Sequence, residues 1–212
     1  MKRLCSLLVA LSFYGLAQSQ TYVPGVTISL PSLPEWMPRN LDVTTYRNGD
    51  VIPQVTDPAQ WASLTTGAWC YYSNNIANGA FYGKLYNWYA VNDPRGLAPQ
   101  GWHIPTDAEW ASYCSGIGCG SLKETGTAHW VSPNTGAANA DNFAALPGGI
   151  ITNSGAFFTI GTNGCWWTST QAVSGNVWMR TLGTNSGDLA TGYAAKNFGF
   201  SIRCIKDKKV KL

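Results

Sequence analysis

The chain has 212 residues, of which only 12 % are charged, with 14 Lys and Arg against 11 Asp and Glu. The formal net charge of +3 falls to +1 once Lys2 and Arg3 are set aside, and four of the remaining lysines crowd the tail KDKKVKL (206–212). A near-neutral body excludes nucleic acid as the expected partner, because that binding neutralises many phosphates with clustered cations.

Residues 1–19 read as a secretory signal. Lys2 and Arg3 form its charged start, LCSLLVALSFYGLA (4–17) its apolar run, and AQS (17–19) the small residues of a cleavage site. The run is short for a span of about 20 apolar residues, and no later stretch is apolar enough to cross a bilayer. Cys5 stands at the start of the run, ahead of its main apolar part, and is not placed to carry a lipid. Export to the periplasm, the cell surface or the medium is therefore expected. About 193 residues remain after cleavage, the length of one domain. They hold five cysteines, Cys70, Cys114, Cys119, Cys165 and Cys204, an odd number that leaves at least one thiol outside any internal pairing. CSGIGC (114–119) has the spacing of a local disulfide, and no second Cys/His pair stands nearby to complete a zinc site.

Residues 20–35 carry QTYVPGVTISLPSLP and read as an extended arm or edge strand, and 208–212 as a basic tail. In YRNGDVI, Asn48-Gly49 between β-prone residues predicts a hairpin within 36–55. DPAQWASL (57–64) predicts a short helix with Asp57 at the N-cap and Pro58 at its first position. AWCYYSN (68–74) reads as a strand. GKLYNWYAVND (83–93) places Leu85, Trp88 and Tyr89 at helical spacing and predicts an amphipathic helix. In GWHIPTDAEW, Thr106 and Glu109 have the spacing of a capping box, so a helix begins there and ends near Ser115-Gly116. Beyond it come a polar loop (129–150) and short strands in FFTIG, GCWWTST, VWMRTLG and GYAAKNFGFSIRCIKD, separated by Asn, Gly and Ser. The order predicts an α+β domain over residues 36–207, with its helices placed early.

The ordered motifs WMPRNLDVTTYRNGDVIP, WCYYSN, YGKLYNWYAVND, GLAPQGWHIPTDAEW, LKETGTAHWVSPN, FAALPGG, CWWTST and FGFSIRCIKD resemble the Fibrobacter succinogenes major paralogous domain family. That family is similar in turn to the C-type-lectin-like folds of formylglycine-generating enzymes and sulfatase-modifying factors. The resemblance implies two main helices packed on small twisted antiparallel sheets, with long loops on one face. It also implies chain ends that return near one another, hence a Cys70–Cys204 bridge beside Cys114–Cys119, with Cys165 as the rival partner. The paired reactive cysteines of the formylglycine-generating enzymes have no counterpart between CWWTST and Cys204, so that oxidoreductase activity is the last of three readings, and a non-enzymatic chain is expected.

The candidate chemistry is that of binding. His103, beside the capped helix, reads as a structural histidine donating to a backbone carbonyl, and Asp107 and Glu109 as parts of the helix start. The loop from His129 and Trp130 onward offers Asn134, Asn139, Asp141 and Asn142, oxygen donors of the kind calcium takes, and no other cofactor is expected. Adjacent residues of a strand point to opposite faces, so one of Trp166 and Trp167 is expected in the core and the other, taken as Trp167, outward for stacking on a sugar or a partner. The first expectation is a secreted binding or adhesion module for a glycan or a surface protein. The second is a structural subunit of a surface assembly that self-associates through the N-terminal arm.

Overall fold

The computed structural model describes residues 34–115, 118–172 and 175–208. The expected signal segment with Cys5, nearly all of the arm and the end of the tail lie outside the described residues. The elements in chain order are α1 (Pro58–Ala62), β1 (Trp69–Cys70), α2 (Ile76–Tyr82), β2 (Leu85–Asn87), α3 (Trp88–Val91), β3 (Trp102–His103) and α4 (Asp107–Cys114). Seven strands follow: β4 (Gly148–Ile151), β5 (Phe157–Ile160), β6 (Asn163–Gln171), β7 (Val177–Gly183), β8 (Leu189–Ala194), β9 (Gly199–Phe200) and β10 (Ile205–Lys206). The architecture is α+β. A five-stranded sheet has the order β1-β2-β9-β4-β5, a three-stranded sheet the order β6-β7-β8, and β3 pairs with β10, all antiparallel.

Local chemistry sets the helix starts. Asp57 Oδ1 accepts from the Gln60 N–H at 2.7 Å ahead of Pro58. Thr106 and Glu109 close the full capping box: the Glu109 N–H donates to Thr106 Oγ1 at 3.2 Å and the Thr106 N–H to Glu109 Oε2 at 2.8 Å. Both satisfy helix N–H groups that lack a partner in the preceding turn. Asn48-Gly49 does turn the chain, with Gly49 at φ +93°, but its flanks meet only at an isolated bridge between Thr45 and Val51.

Residues 83–93 are not one amphipathic helix. Leu85, Tyr86 and Asn87 form the buried strand β2, and only Trp88–Val91 is helical. Asn87 forces the change: its Oδ1 accepts from the Ala68 and Ala90 N–H groups, tying the strand to its neighbour while capping α3. The seven-residue helix lies earlier, in IANGAFY, capped by Asn75. AWCYYSN holds just two strand residues before a 3-10 turn at Tyr72–Asn74, and the final predicted strand is broken into the end of β8, β9 and β10.

Two interiors share β6. One gathers Tyr86, Trp88, Trp167, Phe200, Ile202 and Cys204; the other Trp110, Leu122, Trp130, Phe143, Trp166 and Leu182. Arg203 is buried between chain ends, where Nη1 donates to Met37 O at 2.9 Å and to Phe143 O at 2.7 Å, and Nε to Asn40 Oδ1 at 3.1 Å. Asp107 anchors α4 to β7 through Arg180 Nε at 2.8 Å.

Cys114 and Cys119 form the local disulfide. The Cys70–Cys204 bridge is not formed; Cys70, Cys165 and Cys204 are free and buried. The physical reason is placement in different interiors, Cys70 with Trp61, Leu85 and Ile151, and Cys204 with Trp88 and Ile202. Burial pushes all three thiols up, Cys165 to about 11 and Cys204 to about 12.

Candidate functional site: a groove on the three-stranded sheet

The loop after His129 is mostly scaffold. Trp130 is fully buried and donates its indole N–H to Ala145 O at 2.9 Å, so it offers no face to a ligand. Asn134 is buried, and its Nδ2 donates to the carbonyls of Glu124 and Gly126, each at 2.8 Å. Asn139 Oδ1 accepts from the Ala144 N–H at 2.8 Å, and Asp141 Oδ2 from the Tyr113 hydroxyl at 3.1 Å. Asn142 is exposed. Of the oxygens that suggested calcium, those of Asn139 and Asp141 serve local donors, whereas Asn134 Oδ1 is buried with no hydrogen-bond partner among the described residues. Among the described residues no three His, Cys, Asp or Glu side chains stand together as metal ligands.

His129 keeps a surface role. Its Nδ1 lies 2.7 Å from Glu124 Oε2, and its ring lies 5.1 Å from that of the exposed Phe81 and 5.8 Å from that of Tyr82. Burial, and after it the Glu124 carboxylate, raises the Tyr82 phenol above its ordinary value, which keeps it a neutral O–H. Among the described residues His103 donates to no backbone carbonyl. Its Nδ1 faces Asp207 Oδ1 at 2.7 Å and its Nε2 faces Glu109 Oε1 at 3.1 Å, so it ties the chain's end to the start of α4.

Trp167 does not face outward. It and Trp166 are both fully buried, on opposite faces of β6, because each face of that strand is covered by an interior. The Trp167 ring packs 4.3 Å from that of Phe200, and Phe200 lines a groove of about 440 Å³ above it.

This groove is the candidate site. Strand alternation places Cys165, Met179, Thr181, Gly192 and Ala194 on one face of the β6-β7-β8 sheet, and they form its floor. Ile150, Phe198 and Phe200 wall it, with Thr159, Asn163, Asn176, Tyr193 and Ala195 completing the lining. Thr181 Oγ1 lies 3.4 Å from both Cys165 Sγ and Met179 Sδ, which occupies the hydroxyl within the floor. No side-chain hydrogen bond engages Thr159, Asn163 or Asn176 among the described residues, so their polar atoms are available to a ligand. Thr159 has φ +65° and Gly149, opposite it in the β4-β5 ladder, φ +67°. A left-handed β-branched residue is a rare conformation, and it sits here at the groove lining. Phe158, more than half exposed, is paired with Ile150 and so stands on the same sheet face as that wall residue.

The groove joins residues spread from 150 to 200, mostly Ala, Gly, Thr and Asn, and no motif announces it. Its one legible sign was the alternation in VWMRTLG, which places Met179 and Thr181 on one face.

The fold and the groove define an α+β domain with a shallow, largely apolar seat on one sheet. Residues 34–206 match the model of the Fibrobacter succinogenes major domain, and the chain belongs to that family. No curated protein and no solved structure matches the chain.

Proposed function

We propose that this protein is an exported, non-enzymatic binding module on a C-type-lectin-like scaffold, and that the groove seats a glycan. The observation that carries the reading is the combination in one groove of an apolar lining and unengaged amides and a hydroxyl. A sugar ring offers both surfaces, C–H faces for Phe198 and Met179, and hydroxyls for Asn163, Asn176 and Thr159. A side chain of a surface protein has the same two-sided chemistry and is the competing occupant. The oxidoreductase reading gains no support: the reactive form of cysteine is the thiolate, and the free thiols are buried with their ionisation suppressed.

The test is a glycan array followed by titration calorimetry on hits. Asn163→Ala and Asn176→Ala should each weaken binding by about tenfold or more, since a lost hydrogen bond contributes about 1–1.5 kcal/mol. The melting temperature should not move, because these two amides make no side-chain hydrogen bond among the described residues. Binding that ignores both variants but disappears in His129→Ala would relocate the site to the Glu124–His129–Phe81 surface.

The structural-subunit reading is favoured by a separate observation, the edge of β8, which no other strand pairs with among the described residues.

A further inference from the structure

We infer that residues 26–30 of one copy add as a fourth strand to the edge of β8 in a second copy, joining chains through the three-stranded sheet. The inference stands apart from the glycan reading, because it uses the sheet edge and not the polar rim of the groove.

β8 pairs with β7 along Leu189–Ala194, and no other described strand pairs with it. Such an edge presents a row of backbone donors and acceptors to any extended segment, and natural sheets usually block it with charge, proline or a covering element. Leu189–Ala194 (LATGYA) contains neither charge nor proline. The other long edge of the sheet is covered: β6 meets Ser201 through Trp166 and Trp167, and the Ser169 N–H donates to Pro105 O at 2.9 Å. β5, the edge of the five-stranded sheet, has four residues, and the turn that ends it is taken by the Val131 N–H donating to Gly161 O at 2.8 Å.

The occupant is written in the chain itself. Residues 20–33, outside the described residues, end where Pro34 enters the domain and carry no charge. Within them VTISL (26–30) alternates Val26, Ile28 and Leu30 with Thr27 and Ser29, bounded by Pro24-Gly25 and Pro31, which limit a paired segment to about five residues. The two faces of β8 differ in the matching sense. Ala190, Gly192 and Ala194 lie on the groove face and leave space at the edge, while Thr191 and Tyr193 lie on the other face. An added strand with Val26, Ile28 and Leu30 toward the groove face fills the space beside those small residues and extends the apolar floor. Its Thr27 and Ser29 then stand beside Thr191 and Tyr193. Main-chain bonds supply the attachment and the alternate side chains the register.

Sedimentation of the full-length exported protein tests this. The wild type should associate with rising concentration, unchanged between low and high salt, because neither strand is charged. Ile28→Asp places a charge on the face inferred to be buried and should weaken association at least about tenfold. A synthetic peptide of residues 20–33 added to the Ile28→Asp chain should slow hydrogen exchange at 189–194. Asn163→Ala should leave association unchanged, which separates this result from that of the groove. A wild type that stays monomeric at every concentration would overturn the inference. So would peptide protection confined to a segment other than 189–194.

Discussion

Trp166 and Trp167, neighbours on β6, anchor two different interiors: the indole N–H of Trp166 donates to Asn40 Oδ1 at 2.9 Å, and that of Trp167 to Tyr86 O at 2.8 Å. The strand is thus a partition with an interior on each side, and the groove is built one layer above Trp167. Trp167→Phe keeps a ring but removes the indole donor to Tyr86 O. Thermal unfolding should show a loss of about 1–3 kcal/mol from the missing hydrogen bond and the cavity left by the smaller ring. A loss near zero would mean that Trp167 is not the buried support described.

Thr106→Ala removes the acceptor for the Glu109 N–H at the start of α4. Denaturant unfolding should show a cost of about 1 kcal/mol. Affinity for a groove ligand should stay the same while the domain is folded, because α4 does not line the groove.

Glu109 predicts an acid response. Burial alone would raise its carboxyl, but the Thr106 N–H, the Thr106 hydroxyl and His103 outweigh it, and the value lies below the ordinary 4.5. A carboxylate held low in the folded state binds fewer protons there than in the unfolded chain. Its contribution is therefore complete above about 4.5 and is lost as pH falls through the folded value. Melting curves from pH 6 downward should show Glu109→Gln losing less stability than wild type across that window. Parallel curves would remove Glu109 from the acid response.

Gly120 and Gly187 should behave oppositely. A Cβ on Gly120 would stand 2.5 Å from the Gly187 Cα and 2.7 Å from its carbonyl oxygen, whereas a Cβ on Gly187 meets nothing nearer than Thr135 O at 4.0 Å. Gly120→Ala should cost about 1–3 kcal/mol through backbone displacement. Gly187→Ala should be neutral or stabilise by up to about 1 kcal/mol, because it restricts the unfolded chain.

The cysteines give a chemical check. Peptide mapping without reduction should recover Cys114 joined to Cys119, and alkylation should reach Cys70, Cys165 and Cys204 only after denaturant is added. Reducing the bridge should lower stability by about 2 kcal/mol in the chain-entropy model for so short a loop.

What could be read in advance follows the range of the interactions. Asp57-Pro58, Thr106 with Glu109 and Asn48-Gly49 act within a few residues, and each cap or turn stands where the sequence placed it. VWMRTLG coincides with β7. Leu85, Trp88 and Tyr89 misled because a helical spacing of large apolar residues also suits a short strand buried on both faces and followed by a single helical turn. The site loop reads differently for a related reason: Asn139 has the oxygen of a ligand set, but the Ala144 N–H takes it, and the Asn134 amide spends its nitrogen on the Glu124 and Gly126 carbonyls. Tertiary pairing from Ile150 to Phe200 builds the groove, and that pairing leaves no local trace.

The central claim is that the groove is the ligand seat. Amide-resolved NMR of the full chain, titrated with a panel of mono- and disaccharides, addresses it most directly. The account predicts saturable shifts at Thr159, Asn163, Asn176, Thr181 and Gly192–Ala195, with the backbone of 124–142 unmoved. Shifts confined to 124–142, or no saturable shift at the groove across the whole panel, would contradict it.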